Sequence, residues 1–131
     1  MHHANDRFDL PGTDKTPRLA FDPSTGVLTL DGCSIPENAD RFYTPLYDVL
    51  DRYAQAPAPH THVRIRLTYF NSSSAKYLLD ILKRLEDIHV NGSSQVMLEW
   101  VHAEGDLDMQ EAGQDFRSLL EFPVKLSLIH I

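Results

Sequence analysis

Residues 62–82 read HVRIRLTYFNSSSAKYLLDIL, and their apolar period changes in the middle. Val63, Ile65, Leu67 and Tyr69 alternate with Arg64, Arg66 and Thr68, the two-residue period of a strand with one buried face. From Ala75 onward, Leu78, Leu79, Leu82, Leu85 and Ile88 form the stripe of an amphipathic helix running to about His89. Asn91-Gly92 is a stop signal for it. QVMLEWVH, residues 95–102, again reads as a strand. A strand, helix, strand succession of this kind favours parallel pairing through a right-handed crossover.

The rest of the chain fits around that unit. Leu19 and Phe21, then Leu28 and Leu30, flank the turn formers Asp22-Pro23-Ser24-Thr25-Gly26 and predict a β-hairpin. Between residues 39 and 53, Ala39, Phe42, Tyr43, Leu46, Val49, Leu50 and Tyr53 keep a helical period that Pro45 interrupts. Proline is welcome at the first position of a helix, and Thr44 before it is a good cap. The expectation is a turn or short helix near 36–43, then a main helix from Pro45 to about Ala54. EGDLDMQEAGQDFRSLLE places Met109, Ala112, Phe116, Leu119 and Leu120 at helical spacing. Phe122, Val124, Leu126 and Leu128 alternate as a closing strand. The predicted architecture is a single α/β domain over residues 18–131, ordered β-β-α-β-α-β-α-β, with a mixed sheet and helices mainly on one face. The polar segment 1–17 is expected to be a flexible tail.

Composition narrows the function. The 131 residues carry 12 basic and 19 acidic side chains, a net charge of −7, which argues against a nucleic-acid interface. No apolar run approaches the roughly 20 residues of a membrane span. The N-terminal stretch lacks a signal peptide's apolar centre, and the single Cys33 can form no internal disulfide, so a cytoplasmic setting is expected.

Three consecutive serines at the strand–helix joint invite four readings. The first is capping, for which one serine or Asn71 suffices. The second is a nucleophile, which needs a base, an orienting group and an oxyanion hole. No G-x-S-x-G elbow is present, and His60, His62, His89 and His102 cannot be ranked by spacing. The third is a phosphate loop, but the required glycines are missing and Lys76 alone does not supply one. The fourth is covalent phosphorylation, since a dianion at a helix start is favoured by free N–H groups and the positive helix end.

Other groupings have plainer explanations. Glu104, Asp106, Asp108 and Glu111 offer oxygen ligands without EF-hand spacing, and acids before a helix complement its dipole. His60-x-His62 lacks further zinc ligands at a recognisable spacing. Neither metal nor cofactor is expected. Cys33 reads as a lone small residue, and Trp100 as core. Arg64 and Arg66 point to the open sheet face.

Three ordered blocks resemble the SiaC family of bacterial regulatory phosphoproteins. They are Gly32-Cys33-Ser34-Ile35-Pro36-Glu37-Asn38 running into Phe42-Tyr43 and Pro45; Tyr69-Phe70-Asn71-Ser72-Ser73-Ser74-Ala75-Lys76; and Glu104, Asp106, Asp108-Met109, Glu111-Ala112-Gly113. With the hairpin and closing strand the likeness spans about residues 18–128. The element order also resembles the STAS fold of anti-sigma factor antagonists. The family's joint reads Asn-Thr-Ser-Ser-Ala-Lys, with phosphorylation on the residue after Asn. Here that residue is Ser72, which keeps the hydroxyl, and Ser73 is the second candidate. Cys33 stands where the family usually has Glu. The resemblance implies a non-enzymatic adaptor, phosphorylated by a cognate kinase and reset by a PP2C-type phosphatase. Unphosphorylated, it would bind and activate a diguanylate cyclase and so tune cyclic di-GMP signalling and biofilm growth. Asn71, Ser73, Ser74, Lys76, Glu37, Asn38, Asp106, Asp108 and Glu111 would surround the phosphosite or meet partners. The alternatives are an anti-sigma factor antagonist acting on an anti-sigma kinase and, more remotely, a small serine hydrolase.

Overall fold

The computed structural model describes residues 7–129. Its elements are β1 (Phe8–Leu10), β2 (Arg18–Asp22), β3 (Val27–Ser34), α1 (Ala39–Tyr53), β4 (His60–Phe70), α2 (Ser72–Val90), β5 (Gln95–Ala103), α3 (Leu107–Leu119) and β6 (Val124–Ile129). They form one six-stranded sheet in the order β1-β2-β3-β4-β5-β6. The β1–β2 and β2–β3 pairs are antiparallel, and β3 through β6 run parallel. Each parallel strand lies beside the one before it, always on the same side. Right-handed crossovers repeated in one direction place their helices on one face of the sheet. That face is the core: Leu19, Phe21, Leu28, Leu30, Val63, Ile65, Leu98 and Trp100 are buried there. The opposite face carries charge, with Arg64 against Glu99 at 3.4 Å and Arg66 against Asp31 at 3.7 Å.

Three expectations are corrected. The segment expected as a tail contributes β1, whose Phe8, Asp9 and Leu10 pair with Phe21, Ala20 and Leu19. Its return to β2 is also fixed, since Ile35 N–H donates to the Lys15 carbonyl at 2.8 Å. The sheet therefore has one strand more than predicted, and residues 1–6 of the expected tail lie outside the described residues.

Helix α1 starts at Ala39, with Asn38 as its cap, and runs through Pro45. Pro45 sits on the solvent side, while Ala39, Tyr43, Leu46, Leu50 and Tyr53 make one buried stripe across it. Burial of that stripe outweighs the hydrogen bond a mid-helix proline removes. Thr44 does not cap; its hydroxyl donates to the Asp40 carbonyl at 2.6 Å inside the helix.

The alternation of β4 breaks near its end. Leu67 pairs with Gly32, but Tyr69 pairs with Cys33, leaving Thr68 as an extra residue. Such a bulge reverses the parity of the side chains beyond it. Tyr69, expected on the buried face, is 57% exposed, and Phe70 turns inward beside Trp100, ring centroids 6.1 Å apart.

Helix α3 lies close on β5. A Cβ at Gly113 would collide with the Trp100 indole, whose Nε1 donates to the Met109 carbonyl at 2.8 Å.

Candidate functional site

Parallel strands end at a common edge, so the three family-like blocks meet there. Ser34 ends β3 ahead of α1, Phe70 ends β4 ahead of α2, and Ala103 ends β5 ahead of α3. Each helix opens on a side-chain cap. Asn38 accepts from Arg41 N–H at 3.0 Å, Asn71 from Ser74 N–H at 2.9 Å, and Asp106 from Met109 N–H at 3.2 Å. Asn71, not a serine, is therefore the cap of α2, and all three serines lie inside its first turn.

The three hydroxyls have different fates. Ser74 is fully buried. Its Oγ donates to the Ser34 carbonyl at 3.1 Å and lies 2.8 Å from Ser34 Oγ. Ser73 is exposed and donates to Asn71 Oδ1 at 3.0 Å, supporting the cap. Ser72 is exposed, and its hydroxyl bonds no described residue. The backbone N–H groups of Ser72 and Ser73 have no partner within α2, because the first N–H groups of a helix find none. The first turn holds no acid.

Beneath the turn, Ser34 Oγ lies 2.6 Å from the Tyr43 hydroxyl. The Ser34 carbonyl also accepts from Asn71 N–H at 3.0 Å. Burial pushes the Tyr43 phenol up to about 12, against the pull of its bonds to Ser34 and Ser74. Tyr43 therefore stays protonated at neutral pH. This chain of hydroxyls ties the start of α1 to the start of α2, and sequence reasoning missed it. Its members lie 9 and 40 residues from Ser34, and the serines carried no mark separating a buried hydroxyl from a free one.

The other candidates are brought to the same edge but not into contact with the turn. Glu37 is exposed, 4.0 Å from Lys15. Asn38 and Asp106 act as helix caps, and Asp108 and Glu111 are exposed on α3. No hydrogen bond or ion pair among the described residues joins these five to Ser72–Ser74. Lys76 is exposed one turn after Ser72, its ammonium 5.8 Å from the Tyr77 ring centre. It stands on the wall of a groove of about 340 Å³ between α2 and α3. Ala75, Lys76 and Leu79 form one wall, Ala112, Asp115, Phe116 and Leu119 the other, and Phe70 the end nearest the serines. This groove was also absent from the sequence reading, because it depends on the bulge that turns Phe70 inward.

Among the described residues no group of three or more His, Cys, Asp or Glu side chains could hold a metal ion. No described histidine bonds the Ser72 hydroxyl, so none of them is placed as its base. No helix among the described residues is long and apolar enough to cross a membrane.

Comparison with known proteins gives a consistent answer. Residues 10–129 match the SiaC family of regulatory phosphoproteins. An uncharacterized protein of Pseudomonas aeruginosa strain UCBPP-PA14 is 32% identical over 114 residues, covering 87% of this chain and 90% of the relative. The crystal structure of apo-SiaC from P. aeruginosa superposes with a TM-score of 0.83 at 30% identity, covering 93% of this chain and 98% of that one. SiaC in the crystal structure of diguanylate cyclase SiaD with its activator SiaC, from the same organism, gives 0.87 at 30% identity over 93% and 99% of the two chains. Matched by the family model over residues 10–129 and by a solved SiaC structure over 93% of its length, the chain belongs to the SiaC family of regulatory phosphoproteins and is a regulator rather than an enzyme.

Proposed function

We propose that Ser72 is a reversible phosphorylation site that decides whether this protein engages a diguanylate cyclase. A cognate kinase adds the phosphoryl group and a PP2C-type phosphatase removes it. The unphosphorylated form binds and activates the cyclase in the cytoplasm, raising cyclic di-GMP. The observation that carries the reading is the division of labour among the serines: Ser74 is buried, Ser73 supports the cap, and Ser72 alone presents an unengaged hydroxyl. A phosphoryl group there meets two free N–H groups and the positive end of α2, which favour a dianion. The solved SiaC–SiaD complex supports a cyclase as the output. Asn71 and Ser73 hold the turn, and Asn38, Glu37, Asp106, Asp108 and Glu111 flank it on the shared edge.

Intact-mass and peptide mass spectrometry of protein purified from its native host, before and after PP2C treatment, tests the site. The expected result is one phosphate on Ser72 that the phosphatase removes and Ser72→Ala never acquires. Absence of any phosphate with host kinase and ATP present overturns the proposal. Ser72→Glu is expected to lower cyclase activation at least about tenfold, and Ser72→Ala to retain it.

A further inference from the structure

The helical layer is closed on one side of α2 and open on the other. Toward α1 it is laced by Tyr77 to Asp40 at 3.1 Å, Tyr47 to Asp80 at 3.3 Å and Arg84 to Asp51 at 2.6 Å. Toward α3 the ties lie at the far end. Lys83 Nζ donates to the Leu119 carbonyl at 2.7 Å, and Glu86 accepts from Glu121 N–H at 2.7 Å. The groove between α2 and α3 is therefore held at one end and opens toward Ser72.

Its charges are unspent. Lys76 makes no ion pair with any described residue, and neither do Asp108, Glu111 and Asp115 on the facing helix. The three acids follow helical spacing on α3 and make an acidic stripe, of which Asp115 lines the groove with Lys76. Between them the lining is apolar, and Leu119 is 51% exposed. The complement to this surface is an amphipathic segment with an apolar ridge, basic residues toward α3 and a carboxylate toward Lys76.

We propose that Lys76 is the residue through which phosphorylation acts: it pairs with a carboxylate of an amphipathic cyclase segment seated in the α2–α3 groove, and a phosphoryl group on Ser72 takes it away. Ser72 precedes Lys76 by four residues, the spacing and polarity at which an anion and a cation on one helix attract best. Simple repulsion is a poor account of the switch. A partner that accepts Asp108, Glu111 and Asp115 already tolerates negative charge on this edge, whereas loss of its one cationic contact is specific. The proposal rests on Ser72 being the phosphosite.

Phosphoserine installed at position 72 during translation makes the test independent of the kinase, so a failure of the natural kinase and a failure of Lys76 are told apart. In 31P NMR the second ionisation of that phosphate is expected about 0.3 pH unit lower than in the Lys76→Met protein. Identical titrations overturn the capture of Lys76. Binding to the cyclase that the unphosphorylated chain activates is then measured in four forms. Phosphorylation is expected to weaken binding at least about tenfold with Lys76 present, and less than about twofold in Lys76→Met, whose unphosphorylated form is already weak. Equal losses in both backgrounds overturn the proposal. Ala112→Phe, which fills the groove, is expected to weaken binding with Lys76 intact. Unchanged affinity, or loss of a self-dimer in sedimentation instead, assigns the groove to another occupant and overturns it too.

Discussion

Two buried clusters of hydroxyls sit at opposite ends of α1. At its start, Tyr43 meets Ser34 at 2.6 Å, and Ser34 meets Ser74 at 2.8 Å. At its end, Tyr53 meets Thr61 at 2.7 Å, and Thr61 meets Ser94 at 2.7 Å. Each joins a tyrosine of α1 to a strand hydroxyl and then to a serine beside one end of α2. Each satisfies polar groups that would be costly if buried alone. They differ in their surroundings. The Tyr53 cluster ends against backbone, taking Ala58 N–H at 3.1 Å and packing on Gly26. The Tyr43 cluster comes to the surface two residues away, at a serine whose hydroxyl bonds no described residue. Both fasten the fold, and the difference lies in the hydroxyl left over beside one of them.

The comparison can be broken from either side. The largest expected effect is at the quiet end. Gly26 has φ +76°, and a Cβ there would press on the His60 carbonyl and the Tyr53 hydroxyl. Gly26→Ala is expected to cost about 3 kcal/mol in denaturant unfolding, with Ser72 phosphorylated at the wild-type rate at temperatures where the variant stays folded. A changed rate would mean the two ends are not independent.

Ser34→Ala comes next, at about 2 kcal/mol, because it removes the buried hydroxyl that bonds both Tyr43 and Ser74. Here cyclase activation is expected to fall as well, since the joint loses its anchor to β3. An effect on stability alone would reduce this cluster to the role of the other.

Tyr43→Phe is expected to cost about 1 kcal/mol at neutral pH. Burial raises this phenol from 10.0 to about 12. The stability it contributes is complete below about pH 10 and lost as pH climbs through about 12. Unfolding measured across that window is expected to show a shallower alkaline loss in Tyr43→Phe than in the wild type.

An equal cost, about 1 kcal/mol, is expected for Asn71→Ala, which removes the α2 cap. It also releases the Ser73 hydroxyl. A phosphate newly detected on Ser73 in this variant would show that the cap, and not the kinase alone, confines modification to Ser72.

Much of the architecture was legible in the residues. The hairpin around Asp22–Gly26, the stripe of α2, its stop at Asn91-Gly92 and the strand at 95–102 all carry local patterns strong enough to survive tertiary packing. The start of α1 was misread because Pro45 is a strong local signal and its solvent-side placement is a property of the whole layer. β1 escaped because three residues beside Pro11 and Gly12 have no period to read. At the site, the joint and its serines were visible, but their ranking was not. Which hydroxyl is buried, which supports the cap and which is free depends on Ser34 and Tyr43, contributed by other elements. The groove needed a further fact invisible in one strand, the register of β4 against β3.

That register shift works like a frameshift in the alternation of the strand. Upstream of Thr68, the two-beat pattern is read by the core. Downstream, the same pattern is read one residue out of step, and Tyr69 and Phe70 exchange destinations. Closing the bulge with the sequence unchanged would hand the groove a tyrosine and the solvent a phenylalanine, while Val63, Ile65 and Leu67 stayed in place. The candidate edge of this chain is thus spliced onto its hydrophobic frame at one point, and it can be retuned there without rewriting the frame.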